Sequence, residues 1–345
     1  MSRPILILIL LIYGLLSVQG ASVYDSLRGF RVREFERGLY LAPLVKSRYP
    51  SVNFRGQDPL HQGIAYRPNN RYIAGIRGMA FGVNFEVSKS IGHSDRVASR
   101  FGETDASDLL VNVMTRRWFG DLQWLNYKGV YLRRSWEDYR RTDILPLRPD
   151  ISILVRTVST TWILNPSAFS MRSAYSFREQ QTESGGSPLL RITLNRFLMT
   201  GDSALVGRTD ISYFTDMSQV NGMVIHVLGL APGYGYNYIW RDFFLSGSAV
   251  AGPANYWTRK DRISGGSTYD MRINWIANIG MAAGYNGNRY FGGVSFRVQG
   301  FSSRLDESRL ISRQNVIQVM AGYRFSERGF FTKRIQHAPW WPWLR

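Results

Sequence analysis

The chain has 345 residues, a formal net charge of +18 and no cysteine. Without cysteine it has neither a disulfide framework nor a cysteine-linked lipid anchor, and beyond the N-terminus no apolar run is long enough for a spanning helix. The basic residues are spread along the chain, which argues against nucleic acid as a partner. Membrane lipids, the phosphates of lipopolysaccharide or a small anionic solute are the partners that we predict.

The first twenty residues are typical of an export signal. Arg3 supplies a positive start, residues 4–18 are mainly apolar, and small residues precede Ala21, where we expect cleavage. A signal anchor is the alternative, but the apolar run is too short to favour it. We therefore predict export to the cell outer membrane, with residues 21–37 forming a periplasmic lead.

Alternating apolar and polar side chains follow, which is typical of strands with two different faces. Ile273, Trp275 and Ile279, for example, lie opposite Arg272 and Asn274. In a soluble sandwich the apolar face would form the core, but behind an export signal it predicts lipid outside and a polar lumen inside. Candidate strands cover residues 38–46, 71–79, 81–89, 108–118, 121–132, 151–163, 169–178, 187–198, 205–213, 223–238, 243–256, 270–284, 289–302 and 312–325.

These strands predict an all-β fold, a closed up-and-down antiparallel transmembrane β-barrel of 12–14 strands over residues 38–325. Fourteen strands make tight and long connections alternate throughout, as in barrels with short periplasmic turns and long outer loops. Twelve strands require a weak segment, 38–46 or 205–213, to leave the wall. Tyrosine and tryptophan gather near strand ends, as expected at the two headgroup levels; they are Tyr72, Trp118, Tyr127, Tyr131, Trp162, Tyr238, Trp240, Tyr285, Tyr290 and Tyr323.

Residues 326–345 form a basic and aromatic C-terminal tail that includes Trp340, Trp341 and Trp343. Such a segment suits the inner leaflet surface, and a tail that plugs the barrel mouth is the equal alternative. The tail is also a candidate docking segment for an envelope protein partner.

Cations on the polar strand faces are the candidate ligand-binding residues of the lumen. Rings of arginine and lysine favour anions, so the lumen is predicted to hold or pass a small anion. The alternative is a closed interior in which arginines bind carbonyls, tyrosines and the nearby Glu86, Glu179 and Glu183. The predicted lumen residues are Arg77, Lys128, Arg156, Arg172, Arg191, Arg272, Arg297 and Arg324.

An enzyme acting on lipid is the rival prediction, and it depends on a histidine base. His226 is expected to point inward, near Ser246 and Ser248 of the next strand, while His61 and His93 fall in outer loops. No catalytic triad is apparent from the spacing of these residues. We predict no metal site and no cofactor, because the chain lacks His-x-His pairs and Asp-rich loops.

Several ordered strings carry a family resemblance over residues 38–325. They are Tyr66-Arg67-Pro68-Asn69, the segment 121–131 ending in Tyr127-Lys128-Gly129-Val130-Tyr131, the segments 169–175 and 179–187, Gly233-Tyr234-Gly235-Tyr236 and the segment 284–291. Together they resemble a Bacteroidota family of outer-membrane barrels known as a domain of unknown function, DUF4421. The resemblance implies the fold and the location but no catalytic residue. Glu183 stands in a loop where the family tends to have lysine, which puts an anion contact by that loop in doubt.

Overall fold

The computed structural model describes residues 31–35, 38–56, 63–69, 72–80, 83–91, 95–133, 146–207, 214–305 and 308–326. Within these ranges the α-helices α1 (Asp95–Phe101) and α2 (Met171–Tyr175) and a 3₁₀ helix (Thr215–Met217) interrupt the strands. Among these residues no helix is long and apolar enough to cross a membrane. The strands are β1 (Val32–Glu34), β2 (Gly38–Arg55), β3 (Ile64–Arg67), β4 (Tyr72–Ala80), β5 (Val83–Ser90), β6 (Asp105–Met114), β7 (Trp118–Arg133), β8 (Leu147–Ile163), β9 (Glu179–Gln181), β10 (Gly185–Thr200), β11 (Val220–Trp240), β12 (Phe243–Arg262), β13 (Ser267–Asn286), β14 (Tyr290–Arg304) and β15 (Arg309–Ser326).

Twelve of these strands form a closed antiparallel ring. The order is β2-β4-β5-β6-β7-β8-β10-β11-β12-β13-β14-β15, and β15 pairs with β2 to close it. Strand β3 pairs with β2 and β7 beside the shorter strands β4–β6. The predicted transmembrane barrel is therefore confirmed, with twelve wall strands.

The ring has twelve strands, the lower limit of the predicted 12–14, because two candidate strands do not enter the wall. Residues 169–178 fold inside the barrel as α2 and a bend. Residues 205–207 are irregular, and residues 208–213 lie outside the described residues. Neighbouring wall strands β8 and β10 pair directly with each other, so the intervening segment has no position in the ring.

The outer surface is apolar, as the alternation predicts. On β13, Ile273 and Trp275 are 74% and 70% exposed, while their neighbours face inward. Trp162, Tyr238, Trp240 and other exposed rings lie near the end of the barrel that carries the short turns. An apolar band bordered by aromatic rings is the surface of a barrel embedded in lipid.

The two ends of the barrel differ in their connections. The short-turn end carries the tight β4–β5, β6–β7, β11–β12 and β13–β14 turns, together with the first and last residues of the wall, Gly38 and Ser326. The loop end carries the connections β2–β4, β5–β6, β7–β8 and β10–β11, most of them long. In barrels of this type the short turns face the periplasm.

At the loop end the lumen is filled by apolar side chains. Leu205, Val206, Phe214 and Met217 of the β10–β11 connection are buried and form what we call the apolar lid. They belong to one core with inward-facing wall residues, among them Phe197, Met199, Met223, Ile225 and Val227. The interior of this half is therefore dry, unlike the polar lumen predicted for the whole barrel.

At the short-turn end the β8–β10 connection folds back into the lumen. Residues 164–184 contain α2 and β9, and β9 pairs with β1 to make a two-stranded sheet inside the ring. We call residues 164–184 together with β1 the plug. Gly235 of the wall makes room for it, because a Cβ at this position would lie 2.6 Å from Cζ of Phe169.

Candidate functional site

A chamber lined by both apolar and polar side chains lies between the plug and the apolar lid. Its main cavity has a volume of about 80 Å³ and is bounded by Met171 and Tyr175 of the plug and by wall residues. Two smaller cavities of about 20 and 50 Å³ share Arg191 and Gln299 with it. A cavity of 80 Å³ is large enough for a few waters or one small ion.

One wall of the chamber holds a buried ion cluster on β2, β4, β5 and β6. Lys46, which is 1% exposed, pairs with Asp108 at 2.8 Å and with Glu86. The Nε of Arg77 donates to Glu86 at 2.9 Å, and its Nη1 donates to the carbonyl of Tyr175 at 3.1 Å. Each carboxylate therefore has a cation, and Arg77 also links the wall to the plug.

A second ion pair joins β7 to β10 across the intervening strand β8. The Nη2 of Arg191 donates to Asp121 at 2.8 Å, and its Nη1 donates to Thr161 at 3.0 Å. Ser159 donates to the same carboxylate. The charge of Asp121 is thus neutralised within the wall.

Arg297 on β14 lines the chamber, and the described residues offer it no carboxylate. Around the chamber the described residues provide four cations, Lys46, Arg77, Arg191 and Arg297. They provide three carboxylates, Glu86, Asp108 and Asp121. The Nδ2 of Asn112, a residue 5% exposed, lines the same cavity without an acceptor among them. Buried donors are usually satisfied, so the chamber has the electrostatics of a site for one negative charge.

The plug is fastened to the wall by side chains that bind its backbone. The Nδ2 of Asn237 donates to the carbonyl of Ser170 at 3.0 Å, and that of Asn286 donates to Glu179 O at 2.7 Å. Within the plug, Arg172 pairs with Glu179 at 2.8 Å. The backbone groups of a non-wall segment are thereby satisfied inside the barrel.

The chain matches the family described as Domain of unknown function (DUF4421) over residues 32–325. The chain belongs to this family. The resemblance seen in the ordered strings is therefore confirmed, and no curated protein matches the chain.

Three solved structures with a general likeness to this DUF4421 barrel are remote in sequence. The outer membrane protease OmpT from Escherichia coli is 8% identical, with a TM-score of 0.38, 84% of this chain and 97% of that chain covered. OmpT of Vibrio cholerae is 7% identical, with a TM-score of 0.28 and coverages of 83% and 98%. Ail of Yersinia pestis is 8% identical, with a TM-score of 0.20 and coverages of 84% and 99%. The barrel fold is therefore assigned from the strand pairing of the DUF4421 chain itself and not from these structures.

Six of the predicted lumen cations lie inside the ring. Arg77, Arg191 and Arg297 border the chamber, whereas Arg172 and Arg324 hold the plug. Arg272 faces inward toward the loop end and pairs with Asp270 at 2.6 Å. Of the predicted carboxylates, Glu86 and Glu179 pair inside the ring, and the exposed Glu183 pairs with Arg31 at 3.0 Å.

The lumen placement of Lys128 and Arg156 is wrong, because both side chains point away from the lumen. On β7 the odd-numbered Leu125 and Tyr127 are buried, so the even-numbered Lys128 lies on the outer face. On β8, Arg156 lies on the outer face and stacks on Trp124, with Cζ 3.9 Å from the ring centroid.

The inward orientation expected for His226 is also wrong. His226 is exposed on the outer face of β11, whereas Met223, Ile225 and Val227 face the core. Ser246, which is buried, and Ser248 lie on the inner face of β12, so the sheet separates the histidine from both hydroxyls. The proposed base and its serines therefore do not meet.

His61 and His93 lie outside the described residues, as does the tail after Ser326. The described part of the chain contains no group of three or more His, Asp or Glu side chains placed to hold a metal. Docking of an envelope partner by the tail stays a prediction.

Sequence reasoning missed Lys46, Asn112 and Gln299 as chamber residues. Lys46 ends a predicted strand, and Asn112 and Gln299 carry no charge. A signal was available for Lys46, because Glu86 stands in the middle of one candidate strand and Asp108 begins the next. A carboxylate buried in the wall needs a cation.

Proposed function

We propose that this DUF4421 protein resides in the outer membrane and holds one small anion in the chamber, instead of passing solutes through a continuous pore. The single observation that carries the proposal is Arg297, a chamber cation with no carboxylate among the described residues. A bound anion would balance this charge and accept from the free donor of Asn112.

The chamber walls favour holding over passage. The plug lies on its short-turn side and the apolar lid on its loop side. An ion crossing the barrel would have to displace buried hydrogen bonds at one end and enter a dry core at the other, and both steps are costly. A ligand in a closed chamber of this kind can stabilise the barrel, and it can stay bound while the protein is transported to the membrane.

The outer-membrane location is supported by the apolar outer surface and by the export signal predicted from the sequence. Strands 15–21 residues long in β7, β8 and β10–β15 exceed the 9–11 residues that a spanning strand requires. Cell fractionation tests the location separately from the ligand: the chain is expected in the detergent-soluble outer-membrane fraction.

Refolding tests anion binding without requiring the anion to enter a closed barrel. The protein is refolded into detergent micelles with sodium sulfate, sodium phosphate or sodium chloride at equal ionic strength, and the free energy of unfolding is measured by tryptophan fluorescence. A ligand bound to the folded state alone raises that free energy with its concentration. We expect such a rise with at least one of the anions, and a loss of most of it in Arg297→Gln.

Arg272→Gln is the matched control, because Arg272 also faces inward but already has Asp270 as its partner. It is expected to keep the anion-dependent rise. An equal response of the native protein to all three salts, or an unchanged response in Arg297→Gln, would overturn the proposal.

A further inference from the structure

A row of basic side chains crosses the lipid-facing surface of the barrel. Arg156, Arg196 and His226 stand directly opposite one another on β8, β10 and β11. The same row begins at Trp124 on β7 and continues to Trp257 on β12. Two tryptophans therefore flank three adjacent nitrogen-bearing side chains.

This arrangement is unfavourable without an anion. Arginines directly opposite each other on neighbouring strands repel. A cation on the lipid face of a barrel is also unfavourable, most of all at the midplane and less toward the headgroups. Among the described residues, Arg156, Arg196 and His226 make no ion pair, and the Nε of Arg156 has no acceptor. Among the described residues the row therefore has no paired carboxylate, and stacking of Arg156 on Trp124 is the contact that partly offsets its charge.

Other outward-facing cations nearby do have carboxylates. Arg259 on β12 pairs with Asp261 at 3.1 Å, and Lys128 stands opposite Asp105 in the β6–β7 register. On β8, β10 and β11 the opposed basic side chains have no such carboxylate among the described residues, and the tryptophans on either side distinguish this position on the barrel.

A groove lies beside the row, toward the loop end of the barrel. It has a volume of about 420 Å³, and its lining includes Arg196, His226, Trp257, Arg259 and Tyr269. It also includes Asp270, whose carboxylate pairs with Arg272. Leu194 and Leu228 are exposed next to the row on the same face. A headgroup in the groove would therefore have apolar surface beneath it for acyl chains.

We propose that this row is a binding site for a phosphorylated glycolipid of the outer leaflet, with its phosphate on Arg156, Arg196 and His226. Two arginines can hold a phosphate through several charge-assisted hydrogen bonds, and the tryptophans suit the headgroup boundary. Loop ends face outward in barrels of this type, which places the groove in the leaflet that carries such lipids. The proposal depends on the outer-membrane location but not on an anion in the chamber.

Purified protein in phosphatidylcholine nanodiscs gives a direct test. The probes are lipid A with two phosphates and the same lipid A after phosphatase treatment, and native mass spectrometry counts the lipid bound per barrel. Because the double variant Arg156→Gln with Arg196→Gln loses the charge-assisted hydrogen bonds of both guanidinium groups, we expect it to bind lipid A at least tenfold more weakly. The native protein is expected to prefer the phosphorylated lipid by a similar factor.

Arg313→Gln is the matched control, since Arg313 is an exposed cation on β15 that stands opposite Ser51 and Gly300 instead of other cations. It should bind lipid A as the native protein does, and so should Arg297→Gln, which separates this site from the chamber. Equal binding of the two lipids by the native protein would overturn the proposal even if the double variant failed to fold. Undiminished binding by a folded double variant would also overturn it, as would full displacement of lipid A by inorganic phosphate, which would indicate a site for the free anion.

Discussion

Arg324, on the last wall strand, donates two hydrogen bonds to the carbonyl oxygen of Phe177 in the plug, from Nε at 3.1 Å and from Nη2 at 2.6 Å. Phe177 has a left-handed backbone with φ of 53°, a conformation that costs free energy in residues other than glycine. The guanidinium therefore stabilises the bend at which the plug turns from α2 toward β9.

Replacing Arg324 by lysine should weaken the plug, because an ammonium group cannot reproduce the planar fork of donors. We expect the free energy of unfolding in detergent to fall by ~2 kcal/mol, the scale of hydrogen bonds to a charged group. Arg289→Lys changes an exposed arginine at the same end of the barrel and should have little effect. Equal losses in the two variants would argue against a specific role for Arg324.

The plug also requires a small residue in the wall. Gly235→Val would place side-chain atoms where Phe169 packs, so we expect the plug to be displaced and trypsin to cleave at the otherwise buried Arg172. Gly247→Val is the control, because no atom lies within 4 Å of a Cβ at that position. The explanation fails if both variants resist trypsin as the native protein does.

Removing one member of the ion cluster around Lys46 should lower the free energy of unfolding more than removing two members. Lys46→Met leaves Glu86 and Asp108 with Arg77 alone, and breaking a buried pair in this way costs ~3–5 kcal/mol. Adding Asp108→Leu leaves the balanced pair of Arg77 and Glu86, so at least half of the lost stability should return. Urea unfolding of both variants measures this, and a double variant no more stable than the single one would contradict it.

The wall could be predicted from the sequence because its alternation is a direct consequence of facing lipid on one side. Ile273 and Trp275 have polar neighbours, and their outward orientation followed from that contrast. Residues 169–178 misled the same reasoning, since their length equals that of a spanning strand. Hydrogen bonds outside any strand ladder determine their fold: Ser170 caps α2 by accepting from the backbone N–H of Ser173, and Arg172 pairs with Glu179.

Which side chains of the candidate site point into the barrel was harder to predict from the sequence than the strands themselves. On β11, Val224 and Leu228 are apolar, but so are Met223, Ile225 and Val227, so hydrophobicity alone does not say which face meets lipid. The apolar lid decides it, because buried side chains such as Phe214 need apolar partners inside the barrel. That requirement comes from a distant part of the chain and turns His226 outward.

Electrical recording of the purified protein in planar bilayers tests the closed lumen most directly. We predict no steady current from the native chain. The test variant has residues 166–184 replaced by a short glycine-serine turn, and Phe214 and Met217 of the apolar lid changed to alanine. We predict an anion-selective current from this variant, because Arg191 and Arg297 would then line an open passage. A steady current of the same size through the native protein would contradict the closed lumen.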